Sequence, residues 1–181
     1  MPKKIDRNIT AQAVGAFGEK AAEAELLRHG WIPSNVNATV KNAADFDIYA
    51  LKGTCTMHLR VKTCGPGQNA FQFGGFKPGE EITFDNLRKS DFTILVRMDD
   101  DRQKDEFYIL PTRVVRQQLK KYRRSYLSTR KRDGQKRKDT GHWTLHLAEM
   151  RSGEGRDNYS FAKKWAKYRD AWCSLERVAK K

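Results

Sequence analysis

The stretch Asp45-Phe46-Asp47-Ile48-Tyr49-Ala50-Leu51, followed after the turn at Lys52-Gly53 by Cys55-Thr56-Met57-His58-Leu59-Arg60-Val61-Lys62-Thr63, decides the fold. Phe46, Ile48 and Ala50 alternate with Asp47, Tyr49 and Leu51, the period of a strand with one apolar face. The next run alternates more strictly. Cys55, Met57, Leu59 and Val61 face one side, and Thr56, His58, Arg60 and Lys62 face the other. Strands joined so briefly form an antiparallel hairpin, which brings Asp47 into the neighbourhood of Arg60 and Lys62.

Helical signals flank this hairpin. Thr10 is suited to cap a first helix that runs to Gly30, a residue fitted to the left-handed position that ends helices. Within it, Gly15, Glu19, Ala22 and Leu26 fall on one ridge, so Glu19 points where small and apolar neighbours point. Trp31 to Val40 reads as a connection or a first strand, with Pro33, Asn35 and Asn37 supplying turn character. Beyond the hairpin, a glycine-rich polar loop extends from Cys64 to Gly79. Phe92–Val96 and Phe107–Leu110 are apolar runs expected as central strands, separated by the acidic turn Asp99-Asp100-Asp101. Pro111-Thr112 ends the second run and caps a helix whose Val115, Leu119 and Tyr122 share a side. Trp143, Leu145 and Leu147 alternate as on a short strand, on which His142 and His146 share a face without an evident third metal ligand. Phe161, Trp165, Tyr168, Trp172 and Leu175 recur at helical spacing, predicting a C-terminal aromatic helix at about 160–176 that packs on the core. The pattern alone specifies an α/β fold, and 181 residues suit a single domain over 1–181.

Charge narrows the partner. The formal net charge of +14 points first to nucleic acid and second to an anionic membrane. The N-terminus lacks the apolar core of a secretory signal, and no transmembrane segment is visible, so a cytoplasmic protein is expected. Cys55, Cys64 and Cys173 match neither a zinc cluster nor a disulfide framework and read as core or surface thiols. The basic residues concentrate in 113–138, where Lys120, Lys121, Arg123, Arg124, Arg130, Lys131 and Arg132 are candidate phosphate contacts and Asp133 is the one acid. Such density repels itself unless an anion answers it. Gln68, Asn69 and Gln72 in the glycine-rich loop are able to meet bases, but amides are too common in such loops to count as evidence.

The hairpin residues suggest a reaction. Phosphodiester hydrolysis needs an activated water, neutralised charge on phosphorus and a stabilised leaving oxygen, and a divalent ion on one or two carboxylates serves all three. A lysine beside it adds fixed positive charge or helps orient the water. Asp47 and Lys62 suit these two tasks.

Gly18-Glu19 in the opening helix, Asn42-Ala43-Ala44-Asp45-Phe46-Asp47-Ile48-Tyr49-Ala50 and Leu59-Arg60-Val61-Lys62-Thr63 together resemble the PD-(D/E)xK nuclease superfamily, which includes restriction endonucleases and Holliday-junction resolvases. Phe92–Val96, Phe107–Thr112 and Tyr168–Trp172 are similar to later elements of small bacterial members, so the likeness spans most of the chain. It implies a restriction-endonuclease-like mixed central sheet flanked by helices. It further implies a DNA endonuclease dependent on magnesium or manganese, acting on double-stranded or branched DNA, in a group where homodimers are common. Carried over by position, it makes Asp47 and Glu19 metal ligands, with Lys62 the catalytic cation; Asp45 suits the first acidic position less well.

Arg60 stands where the superfamily has a second acid or a glutamine. A guanidinium about 4 Å from a divalent ion is disfavoured by roughly 8 kcal/mol at an effective dielectric of about 20. Three outcomes follow: Arg60 swings aside toward DNA phosphate while Asp47, Glu19 and a backbone carbonyl hold the ion; another acid such as Glu80 or Glu81 substitutes; or the metal site is lost. The last yields a catalytically inactive nuclease-fold protein that binds DNA or RNA. A further alternative is an RNA-binding or assembly protein acting through its basic loop.

Overall fold

The computed structural model describes residues 10–36, 46–81, 84, 91–99, 105–146 and 165–179. Asp45, the Asp100-Asp101 part of the acidic turn, Leu147 and Phe161 lie outside them. Helix α1 (Ala11–Arg28) begins at its predicted cap, where Thr10 Oγ1 accepts from the N–H of Ala13 at 3.2 Å. It is followed by Gly30 at φ +74°. Its buried ridge is Val14, Gly18, Ala22 and Leu26, which corrects the expected ridge through Gly15 and Glu19. The cause is a close approach: a Cβ on Gly18 would collide with the Thr63 side chain, so glycine alone lets the helix lie this near the sheet.

The sheet order is β1 (Ile32–Asn35), β2 (Ile48–Lys52), β3 (Cys55–Cys64), β5 (Asp91–Arg97) and β6 (Glu106–Pro111). The hairpin is antiparallel, as expected, and its register puts Ile48 opposite Leu59; β3 runs parallel to β5. A mixed central sheet is thus present, as anticipated. β5 is buried on both faces, as its unbroken apolar run requires. β6 is not central; it is the last strand of the sheet order, and the chain near Arg169 covers it by bridging Tyr108 and donating the Asp170 N–H to Phe107 O at 2.8 Å.

Two cores lie on opposite faces of this sheet. Ile48, Leu59, Val61, Ile94 and Ile109 meet Ala22 and Leu26 of α1 on one side. Cys64, Leu95 and Leu110 meet Val115 and Leu119 of α2 (Thr112–Ser128) on the other. Thr112 does not cap α2; its buried hydroxyl bonds that of Thr93 at 3.0 Å, fixing the helix to β5. The region expected as a loop contains β4 (Ala70–Phe73), which pairs with β7 (Trp143–His146) as a separate two-stranded sheet packed on α2.

The expected aromatic helix is also corrected. Within the described residues a 3-10 turn (Ala166–Tyr168) and helix α3 (Cys173–Ala179) are separated by Asp170 at φ +49°. Trp165 and Trp172 belong to opposite cores, and one helix face cannot serve both sides of a sheet. No helix among the described residues is long and apolar enough to cross a membrane.

Candidate nuclease site

The regular β2–β3 register stops at Ile48 opposite Leu59, and Asp47 lies just beyond it. Its N–H donates to Leu59 O at 2.9 Å, and its Oδ2 accepts from the N–H of Val61 at 2.7 Å. The carboxylate therefore sits against the β3 backbone between the residues that bear the two candidate cations, Arg60 and Lys62. One of its oxygens is committed to that amide, and a carboxylate has further acceptor sites.

Lys62 is partly buried and makes no ion pair among the described residues. In register with Leu95, it shares the α2 side of the sheet with Arg60, which is opposite Thr93. Arg60 leans over the ring of Phe84, its guanidinium carbon 4.9 Å from the centroid.

Glu19 reaches the same end of the sheet from the other face. Its Oε2 accepts from Asn35 Nδ2 at 2.7 Å, and Glu23 Oε1 accepts from the same nitrogen at 3.0 Å. Asn35 pairs with Ile48, and the neighbouring Val36 N–H donates to Asp47 O at 2.9 Å. Asn35 at the end of β1 thus joins Glu19 and Glu23 of α1, and the Asp47 backbone lies alongside it through Val36. Asn35 was missed as a participant because its surroundings read as a turn; the signal was the Glu19/Glu23 spacing, which puts two carboxylates on one side of a helix.

Among the described residues, no three His, Cys, Asp or Glu side chains form a group able to hold a metal ion. Two carboxylates remain a sufficient protein contribution for magnesium, which keeps several waters and is commonly completed by substrate phosphate. Glu80 and Glu81, the alternative acids, are exposed near α2, where Glu81 pairs with Lys120.

The basic segment divides in two. Arg123 is turned inward, pairing with Asp139, donating to the Glu80 carbonyl and lying over Trp143. Burial pushes the Asp139 carboxyl up, but the N–H groups of Gly79 and Gly141 and then Arg123 outweigh it and hold the carboxyl below its ordinary range. Arg123 thus has internal partners, whereas Lys120 pairs at the surface with the exposed Glu81. Lys121, Arg124, Arg130, Lys131 and Arg132 are exposed. Cys64 is a core thiol, pushed up to about 12 by burial, whereas Cys173 is exposed.

A cleft of about 520 Å³ is walled by Thr63, Gly65, Gln68, Ala70 and Gln72 with the first turn of α1. Of the amides assigned to this loop, Asn69 Oδ1 is held by Arg97 at 2.7 Å, and Gln68 Oε1 accepts from Gly65 N–H at 3.3 Å.

No family model and no curated protein matches the sequence. Among solved structures the chain is similar to a bacterial homing endonuclease, I-Ssp6803I, at 17% identity and a TM-score of 0.50, covering 96% of this chain and 98% of that one. Both chains thus share a mixed α/β fold over nearly their whole length.

Proposed function

We propose that this protein is an endonuclease that hydrolyses phosphodiester bonds of DNA, with Asp47, Glu19 and Lys62 at its centre. The observation that carries the reading is the Asp47 carboxylate seated on the Val61 amide, one residue from a lysine that has no ion-pair partner among the described residues. The fold shared with a homing endonuclease supports it. Asp47 and Glu19 would hold magnesium or manganese, which when bound supplies Lewis-acid stabilisation of the phosphate and a more acidic water. The Lys62 ammonium neutralises charge developing on the phosphate oxygens and orients the attacking water. The hydrogen bond from Val61 fixes one oxygen of Asp47, so its orientation does not depend on substrate. The exposed cations of α2 and the following loop hold the duplex backbone, giving affinity that declines steeply with salt.

Supercoiled plasmid incubated with the protein and magnesium or manganese should be nicked or linearised. Lys62→Ala should slow this by about 10²–10³-fold while leaving duplex binding intact. Plasmid left unchanged by the unsubstituted protein overturns the catalytic reading.

A second reading is favoured by Arg60 together with the lack of a three-carboxylate group among the described residues. It is a nuclease-fold protein that binds nucleic acid without cutting it. In the same assay it retards the plasmid and never nicks it.

A further inference from the structure

The β4–β7 pair is a narrow ribbon with two unlike faces. Phe71 opposite Leu145, and Phe73 opposite Trp143, are buried against α2. Gln72 opposite Thr144 alternates to the other face, while at the end of the ribbon the His146 ring, opposite Ala70, lies 6.1 Å from that of Tyr122 of α2. Gln72 is exposed and makes no hydrogen bond among the described residues, unlike the neighbouring amides Gln68 and Asn69.

Position gives this polar face a meaning. Ala70 and Gln72 line a cleft together with Thr63 of β3 and Ala11 and Val14 of α1. At its other end the ribbon is fed by the exposed cations Arg130, Lys131, Arg132, Lys136 and Lys138, which precede β7. A polar two-stranded ribbon flanked by phosphate-seeking side chains has the dimensions and chemistry to enter the major groove of duplex DNA.

We infer that the β4–β7 ribbon reads an A·T base pair of the bound duplex, with Gln72 on the adenine and Thr144 on the thymine. The inference rests on the nuclease reading. A carboxamide offers one donor and one acceptor in the spacing of adenine N6 and N7, and a threonine methyl meets the thymine methyl. The two residues are directly opposite in the register, so they reach the two members of one base pair.

The test is selection from a pool of duplexes with randomised sequence, using the whole chain and its Gln72→Ala and Gln72→Glu variants, with affinity for a fixed duplex measured across salt concentrations. The unsubstituted protein should enrich an A·T pair at one position. Gln72→Ala should lose that enrichment by about 5- to 150-fold, the range of a bidentate contact, with the salt dependence unchanged. Gln72→Glu should move the preference toward cytosine, whose amino group a carboxylate accepts. Duplex binding or cleavage with the same enriched sequence in all three proteins, or with none, overturns the ribbon assignment and leaves the nuclease reading standing. No duplex binding by the unsubstituted protein overturns both.

Discussion

The two faces of the central sheet are stabilised in different ways. On the α1 face, Ala22, Leu26, Trp31 and Trp172 close a core whose helix ridge is small and apolar, and Gly18 allows contact with β3. On the α2 face a comparable apolar core is overlaid by cations: Arg60 over Phe84, Arg123 over Trp143, Arg137 over Tyr126, and the Arg123–Asp139 pair. Burial of apolar area holds the first face, with Lys52 over Trp31 and paired with Glu176 at its edge. The second adds interactions that depend on charge, and the exposed cations beyond them face solvent. The face able to greet a polyanion is also the one that carries more of the interactions that respond to ionic conditions.

The largest effect should come from the apolar face. Trp172 stacks on His29 at 5.2 Å and tilts against Phe107 at 5.6 Å, so Trp172→Ala should lower unfolding free energy in urea by about 3–5 kcal/mol. A loss under about 1 kcal/mol would mean that the C-terminal segment contributes little to this core.

Arg123→Ala should cost about 1–3 kcal/mol, because the Asp139 carboxylate and Glu80 carbonyl lose a donor. Lys120→Ala is the control on the same helix, since its partner Glu81 is 70% exposed, and no shift in unfolding midpoint is expected. Equal effects of the two would erase the division of the basic segment into inward and outward cations.

The smallest effect is a dependence on pH. Burial holds His146 below the ordinary histidine value of 6.5, so it favours the folded state above that pH and loses its contribution as pH falls through the lower folded value. Asp139, held below 3.8, adds a second loss at still lower pH. Tyrosine and tryptophan fluorescence of the α2 layer should report these acid transitions, and His146→Phe should remove the first. A first transition that persists in that variant would assign it to another group.

Local periodicity made much of this structure legible. The strict alternation in Cys55–Lys62 predicted β3 and its hairpin, and Thr10 and Gly30 marked the ends of α1, because these signals act within a few residues. β4 was not legible. Its four residues lie among glycines, and its partner β7 is over sixty residues away, so nothing nearby in the chain announces the pairing. The aromatic run 161–175 has helical spacing, yet spacing does not say that Trp165 and Trp172 belong to different cores.

The same division runs through the candidate site. Asp47, Arg60, Lys62 and Glu19 were identifiable as residue types on predictable elements. That Glu19 meets Asn35, that Arg60 leans on Phe84, and that Arg123 faces Asp139 depended on elements brought together from distant parts of the chain. The amino-acid sequence by itself determined the alternation, the helix ends and the excess of positive charge, since each follows from backbone geometry or composition. Only the tertiary structure decided which cations are neutralised within the molecule and which remain outside, because partnership between charges depends on separation in space.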